Sequence, residues 1–238
     1  MTYWSWLGLA SAVISILGLG VSGPGYRLGL WGLQTGLGLV KYSAFLSLAA
    51  VAVCLLGLAL WLAGFGPGGL IPALIGLVLG GFVAVWMLKW KHNLDSVPYI
   101  HDITTDTANP PVFEAILPLR AGAPNPAEYG GPALARQQQD GYPDLVPGSL
   151  AASPEEGFPR ALQAAKDMGW EIVAADPRSL RIEATDTTAW FGFKDDVVVR
   201  LTPSPAGCRI DVRSVSRVGK SDVGTNARRI KAYLARLK

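Results

Sequence analysis

The chain has 238 residues, of which 50% are hydrophobic and 16% charged, a balance too apolar for an ordinary water-soluble protein. Its charge is segregated: residues 1–92 hold no Asp or Glu and four basic residues, Arg27, Lys41, Lys89 and Lys91, which leaves 17 basic and 18 acidic side chains from 93 onward. A near-neutral soluble part argues against nucleic acid as a partner, and two cysteines with two histidines exclude both a disulfide scaffold and a zinc site built on paired cysteines.

Three runs carry no ionisable residue, 4–21, 43–63 and 70–88. Each approaches the roughly 20 residues that an α-helix needs to cross a bilayer, so three transmembrane helices are predicted within a membrane region of 1–92. Trp4, Trp6, Trp61, Trp86 and Trp90 lie near their ends, where amphipathic rings favour the headgroup level. The first run lacks a basic leader and a small-residue cleavage site, so it reads as a span and not as a signal peptide. The glycine-rich stretch 23–41, interrupted by Arg27 and Gln34, is expected to be an interfacial or re-entrant segment, with a fourth span as the alternative.

Gly76 and Gly80 form a small-residue pair that would let another helix approach closely, within the bundle or in a homo-oligomer. Spans free of Asp, Glu, Lys, Arg and His argue against a proton or ion path. Three crossings would put Arg27, Lys41, Lys89 and Lys91 on one side, with no Lys or Arg in the loop at 64–69, so loop charge predicts a cytoplasmic soluble domain.

Residues 93–148 hold nine of the 17 prolines and read as a proline-rich linker, a solvated tether in which Ile100 to Asp106 has the alternative of a short docked strand. Regular structure resumes in 149–238. Ser153, Pro154 and Glu156 form a capping sequence, and Phe158, Leu162 and Ala165 recur at helical spacing up to Gly169. Four strand-like runs follow at 170–175, 180–185, 197–202 and 208–215, with an edge strand expected near 145–150. In the second run Leu180, Ile182 and Ala184 alternate with Arg181, Glu183 and Thr185, which predicts one buried face and one wet face. A last helix over 225–237 aligns Ile230, Tyr233, Leu234 and Leu237. The expected fold is therefore α+β: a three-helix transmembrane bundle, then an antiparallel meander of four or five strands covered by two helices.

Two long motifs carry a resemblance. Asp186-Thr187-Thr188-Ala189-Trp190-Phe191-Gly192-Phe193-Lys194-Asp195-Asp196-Val197 is followed by the run from Asp211 to Gly224, with Arg213, Arg217, Lys220, Ser221 and Asp222, and then by Asn226-Ala227-Arg228-Arg229-Ile230. Over about 140–238 these resemble the domain-of-unknown-function family 1499, and the apolar N-terminal region resembles its membrane-anchored bacterial members. The resemblance implies a multi-pass protein of the bacterial cell membrane with no established reaction. It also implies an extracytoplasmic domain, against the loop-charge argument.

Both motifs are rich in polar residues, and together they supply the candidate site: Asp186, Trp190, Phe191, Phe193, Asp195, Asp196, Arg213, Arg217, Lys220, Ser221, Asp222, Asn226 and Arg229. The three aspartates 186, 195 and 196 suggest a hard cation and metal-dependent hydrolysis, but neighbours on a strand point to opposite faces. Ser214, Ser216 and Ser221 lack a histidine base in this domain. Binding or assembly is the leading expectation, with no catalytic residue, metal or cofactor assigned. Residues 205–238 hold nine basic and two acidic side chains against eight and 16 in 93–204, a polarity suited to an anionic ligand, a lipid headgroup or a protein partner. The competing expectation is internal, with Arg213, Arg217 and Arg229 pairing with Asp186, Asp195 and Asp222. Finally, meander topology should bring Trp190 to Phe193 and Gly219 to Asp222 to one end of the sheet as a functional edge.

Overall fold

The computed structural model describes residues 3–65 and 69–237, and part of the expected loop at 64–69 lies outside them. The chain divides into two compact units, 1–93 with 190–192 and 94–189 with 193–238.

The first unit contains three helices long and apolar enough to cross a membrane: α1 (Tyr3–Arg27), α2 (Leu33–Leu62) and α3 (Leu70–Asp95). Its packing is inverted relative to a protein in water. The helices bury Gly8, Ala12 and Ser15 of α1, Ser47, Ala50 and Cys54 of α2, and Ala73, Gly76 and Gly80 of α3, while Leu17, Leu55, Val78 and Phe82 face outward. Lipid tails are as apolar as leucine, so such helices associate through close backbone approach at small residues. A side-chain carbon at Gly76 would lie 2.4 Å from Cys54 Sγ, and one at Gly80 would lie 3.2 Å from the Ser47 carbonyl oxygen, so both glycines serve contacts inside this chain. The buried hydroxyls of Ser15 and Ser47 donate to carbonyls three residues back, at 2.8 and 2.7 Å.

The stretch 23–41 forms no separate helix and so no fourth span; it holds the end of α1, a turn and the start of α2. α1 runs through Pro24 to Arg27, the chain turns at Gly29 with φ of 73°, and α2 begins at Leu33. The corner is closed by Trp31, whose indole N–H donates to the Ser22 carbonyl at 3.1 Å while its ring fills the space left by the missing side chain of Gly25. At about 1.5 Å per residue α2 is about 45 Å long, some 15 Å more than a hydrocarbon core of about 30 Å, which leaves room for Gln34 and Lys41 beyond it.

The second unit is an antiparallel sheet with helices on one face, an α+β fold. Strands β3 (Glu171–Asp176), β4 (Arg181–Thr187), β5 (Lys194–Ser204) and β6 (Gly207–Ser216) form the expected meander. The other side of β6 pairs with two short strands, β1 (Asp102–Thr104) along 213–215 and β2 (Gly148–Leu150) along 208–210. Residues 94–148, read from the sequence as a linker, thus supply a strand of the sheet, a 3₁₀ turn at Leu117–Arg120 and helix α4 (Gly131–Gly141). Gln138 of α4 closes the outer edge of β1. Its amide accepts from the Thr104 N–H at 2.9 Å and donates to the Thr104 carbonyl at 2.6 Å, standing in for a neighbouring strand.

Helices α5 (Pro154–Asp167) and α6 (Thr225–Ala235) cover one face. α5 starts at the predicted capping box, with Ser153 Oγ accepting from the Glu156 N–H at 3.3 Å and the Glu156 carboxylate accepting from the Ser153 N–H at 3.1 Å. Between these helices and the sheet lie Phe158, Ile182, Val199, Ile210, Ile230 and Tyr233. Tyr233 stacks on Trp170 at 5.0 Å and donates to the Ala161 carbonyl at 2.9 Å.

The opposite face, expected to be wet, is covered as well. The segment 105–130 crosses it as a strap, and Glu183 and Thr185 are only 1% and 3% exposed. Phe113 and Ile116 of the strap pack on Val198 and Val215, but most of what holds it is polar. Glu183 accepts three successive backbone N–H groups, from Glu114 at 2.9 Å, Ala115 at 3.1 Å and Ile116 at 2.9 Å. The alternation in β4 was legible; the layer over its polar face was not.

Candidate functional site

The register of β4, β5 and β6 fixes where the motif side chains go. Asp186 pairs across from Asp195, and Asp196 sits opposite Thr185 and Val215. Side chains alternate along a strand, so Asp195 faces α6 while Asp196 faces the strap.

On the α6 side, Arg229 gathers the carboxylates. Its Nε donates to Asp186 at 2.7 Å and its Nη2 to Asp195 at 2.6 Å. Nη1 donates to Ser214 Oγ at 3.1 Å and to the Asn226 side-chain oxygen. Asn226, fully buried, donates to the His101 carbonyl at 2.9 Å and to Ser216 Oγ at 3.1 Å. This network anchors α6 to the end of β5 and β6 and ties in the chain that enters β1.

On the strap side, Asp196 is fully buried between two guanidinium groups. Arg120 Nη1 donates to it at 2.6 Å, Arg217 through Nε and Nη2 at 2.9 and 2.8 Å, and Thr185 Oγ1 at 2.7 Å. Arg217 also donates to the Leu119 carbonyl at 2.8 Å. Arg213, 1% exposed, forms a two-pronged pair with Asp102 at 2.9 and 2.8 Å and lies over the rings of Phe113 and Tyr129 at 5.2 and 5.5 Å. Burial and the neighbouring Asp102 carboxylate push the Tyr129 hydroxyl up to about 12.

The internal pairing weighed in the sequence is therefore present in part, with Arg229 on two of the expected aspartates and Arg213 and Arg217 on others. Arg229 takes Asp186 and Asp195, Arg217 takes Asp196, and Arg213 takes Asp102. Asp222 makes no ion pair with an arginine among the described residues; it caps α6, accepting from the Gly224 N–H at 2.9 Å and the Asn226 N–H at 2.6 Å. Burial pushes the Asp222 carboxyl above its ordinary value, against the pull of those two bonds. Arg209 with Asp106 and Lys231 with Asp144 add further pairs between the basic end and the acidic part, so most of the charge polarity is neutralised within the fold. Asp195 and Asp196 point to opposite faces with arginines on each, and among the described residues no group of three His, Cys, Asp or Glu is arranged to hold a metal ion.

The aromatic connection separates from the rest. Trp190, Phe191 and Gly192 group with the first unit, where Trp190 meets Trp86 edge-on at 5.5 Å and Phe191 lies 6.0 Å from Tyr26. Gly23 and Gly36 have no side chain where these two rings sit. Phe193 remains with the sheet, its N–H bonded to Thr188 Oγ1 at 2.9 Å. Within the second unit, the Lys194 carbonyl accepts from the Arg217 N–H at 2.9 Å at this end of the sheet.

That cleft has a volume of about 360 Å³. Its walls come from the chain entering β1 (Tyr99, Ile100, His101), from the end of the strap and α4 (Pro126, Glu128, Leu134), and from Lys220 in the loop after β6. Backbone ties hold the three segments together. Asn125 Nδ2 donates to the carbonyls of Ser216 at 3.0 Å and Gly219 at 2.8 Å, and the Asp222 N–H donates to the Ile100 carbonyl at 3.1 Å. Asp102 reaches the cleft already neutralised by Arg213. Lys220 is exposed and makes no ion pair among the described residues, and Ser221 is used locally, its hydroxyl accepting from the Val223 N–H at 3.2 Å. Sequence reasoning selected Lys220 and missed Tyr99, His101, Glu128 and Leu134, which belong to the stretch read as a connector.

The model of the family described as "Protein of unknown function (DUF1499)" matches residues 102–237, beginning at β1 and so taking in the strap. No curated protein and no solved structure matches the chain.

Proposed function

The chain belongs to the DUF1499 family, a membership that names a domain and no reaction, and from its geometry we propose that it is a membrane-associated, non-enzymatic binding module that takes an anionic ligand at the Lys220 cleft. One observation carries the reading. Asp186, Asp195, Asp196, Arg213, Arg217 and Arg229 are held in ion pairs within the fold, whereas Lys220 lines a largely apolar cleft and makes no ion pair among the described residues. Small-molecule sites combine such apolar walls with a few polar groups that fix orientation. Of the candidate residues, Asp186, Asp195, Asp196, Arg213, Arg217, Asn226 and Arg229 then act as scaffold, and Lys220 touches the ligand.

Titration of the full chain in nanodiscs of a zwitterionic lipid with acetate, inorganic phosphate and phenylacetate tests this. At least one anion should bind with a Kd below about 1 mM, equivalent to about −4 kcal/mol, and weaken at least ten-fold in Lys220→Ala. Binding unaffected by that change would reject the cleft as the site.

For orientation in the membrane, the basic residues Arg27, Lys41, Lys89 and Lys91 support a cytoplasmic second unit. A C-terminal reporter active only outside the cytoplasm would reverse that assignment.

A further inference from the structure

Within the binding reading above, on which this inference rests, we propose that the cleft selects a ligand with a single carboxylate on an apolar body. The selection follows from which of its ionisable groups remain available. Besides the Tyr99 phenol, four line it: His101, Asp102, Glu128 and Lys220. Asp102 is held by both prongs of Arg213. The nearest partner of His101 Nδ1 is the Lys220 carbonyl at 3.5 Å, too long for a good hydrogen bond. Glu128 and Lys220 are both exposed and make no ion pair among the described residues. A ligand therefore meets one lysine amine, one glutamate carboxyl and an imidazole.

Such a balance discriminates by charge number. A monoanion gains the attraction of Lys220 and a hydrogen bond from His101, and its apolar part covers Tyr99, Ile100, Pro126 and Leu134. Both anions meet the attraction of Lys220 and the repulsion of Glu128, each in proportion to ligand charge, but the hydration given up on entering apolar walls grows faster than the charge, so the dianion gives up more than it gains and feels Glu128 twice as strongly. A neutral molecule of the same shape leaves Lys220 unanswered. The carboxylate could belong to a small free acid or to the C-terminus of a peptide with an apolar last residue, since both present the same chemistry to the same groups.

Three probes with one apolar body separate the charge states: phenylacetate, phenylacetamide and benzylphosphonate. Full-length protein in zwitterionic nanodiscs should bind phenylacetate at least ten-fold more tightly than phenylacetamide, and Lys220→Ala should abolish that difference. Glu128→Gln should narrow the preference for phenylacetate over benzylphosphonate by at least three-fold. Both substitutions are at exposed positions, and unchanged thermal unfolding serves as the folding control.

N-acetyl-Ala-Phe with a free or an amidated C-terminus identifies the source. A free peptide tighter than phenylacetate assigns a peptide terminus, and a weaker one a small acid; either ranking upholds the carboxylate. An amidated peptide that binds as well as the free one overturns it. Lys220-dependent binding of benzylphosphonate without binding of phenylacetate overturns the monoanion proposal and leaves the cleft reading standing. Loss of Lys220 dependence for every probe removes both.

Discussion

Replacing Glu183 by glutamine tests whether the strap is part of the fold. Glu183 is 1% exposed and its two carboxylate oxygens accept the N–H groups of Glu114, Ala115 and Ile116 at 2.9, 3.1 and 2.9 Å. Glutamine keeps the shape and one acceptor oxygen, which can still serve Glu114 and Ala115. Its amide nitrogen then faces the Ile116 N–H, donor against donor. One buried N–H left without a partner costs about 1–3 kcal/mol, and two hydrogen bonds that lose their charge each weaken by about 0.5–1.5 kcal/mol. The sum is about 2–6 kcal/mol, a large share of the stability of a domain this size. Chemical unfolding of the full chain should show that loss, and amide exchange at 114–116 should accelerate. If the strap were a tether lying loosely on the sheet, water would solvate those amides in both proteins. A loss below about 0.5 kcal/mol with unchanged exchange would refute the reasoning.

Three further outcomes follow from the same geometry. Arg120→Met removes one of two guanidinium groups from fully buried Asp196, and breaking a buried pair from one side should cost about 3–5 kcal/mol of unfolding free energy; Arg120→Met with Asp196→Asn together should cost less than the sum of the two. Gly76→Ala, whose added carbon would lie 2.4 Å from Cys54 Sγ, should lower the thermal midpoint in detergent more than Gly80→Ala, whose nearest contact is 3.2 Å, with no change in oligomeric size for either. Asp222 has its carboxyl pushed above the ordinary value by burial, so the folded state holds that proton more tightly than the unfolded one. Its stabilising contribution is present below the ordinary carboxylate pKa and is lost as pH rises through the raised folded value. Asp222→Asn should flatten the pH dependence of unfolding across that window, and a slope unchanged from wild type would contradict the assignment.

The three long apolar helices, the capping box of α5, the meander and the last helix were legible because each rests on local periodicity or on residues a few positions apart. The strap was not. Arg120 answers Asp196 from 76 residues away and Arg213 answers Asp102 from 111, separations at which a single sequence offers no pattern. Proline-rich composition describes a tether and a covering layer equally well, because a segment held by its backbone N–H groups and by ion pairs needs no apolar period of its own. The same limit governed the site. Its charges were visible, and opposition of Asp195 and Asp196 followed from strand geometry, but the polarity between the two halves of the domain allows either an external ligand or internal pairing. The structure brings the two halves together, with Arg209, Arg217, Arg229 and Lys231 each on an earlier aspartate. Trp190 and Phe191 were recognisable as unusual, yet their grouping with the helices depended on gaps at Gly23 and Gly36 that only the packing reveals.

Hydrogen exchange of the full chain in nanodiscs, with and without saturating phenylacetate, tests most directly the division between scaffold and site. The account predicts added protection at 99–102, 126–134 and 219–222, the segments that wall the cleft, with no change at 113–121 or at 195–196. Protection confined to 113–121 and to Asp195 and Asp196, with the cleft segments unaltered, would contradict it and return the arginine and aspartate network to the role of binding site.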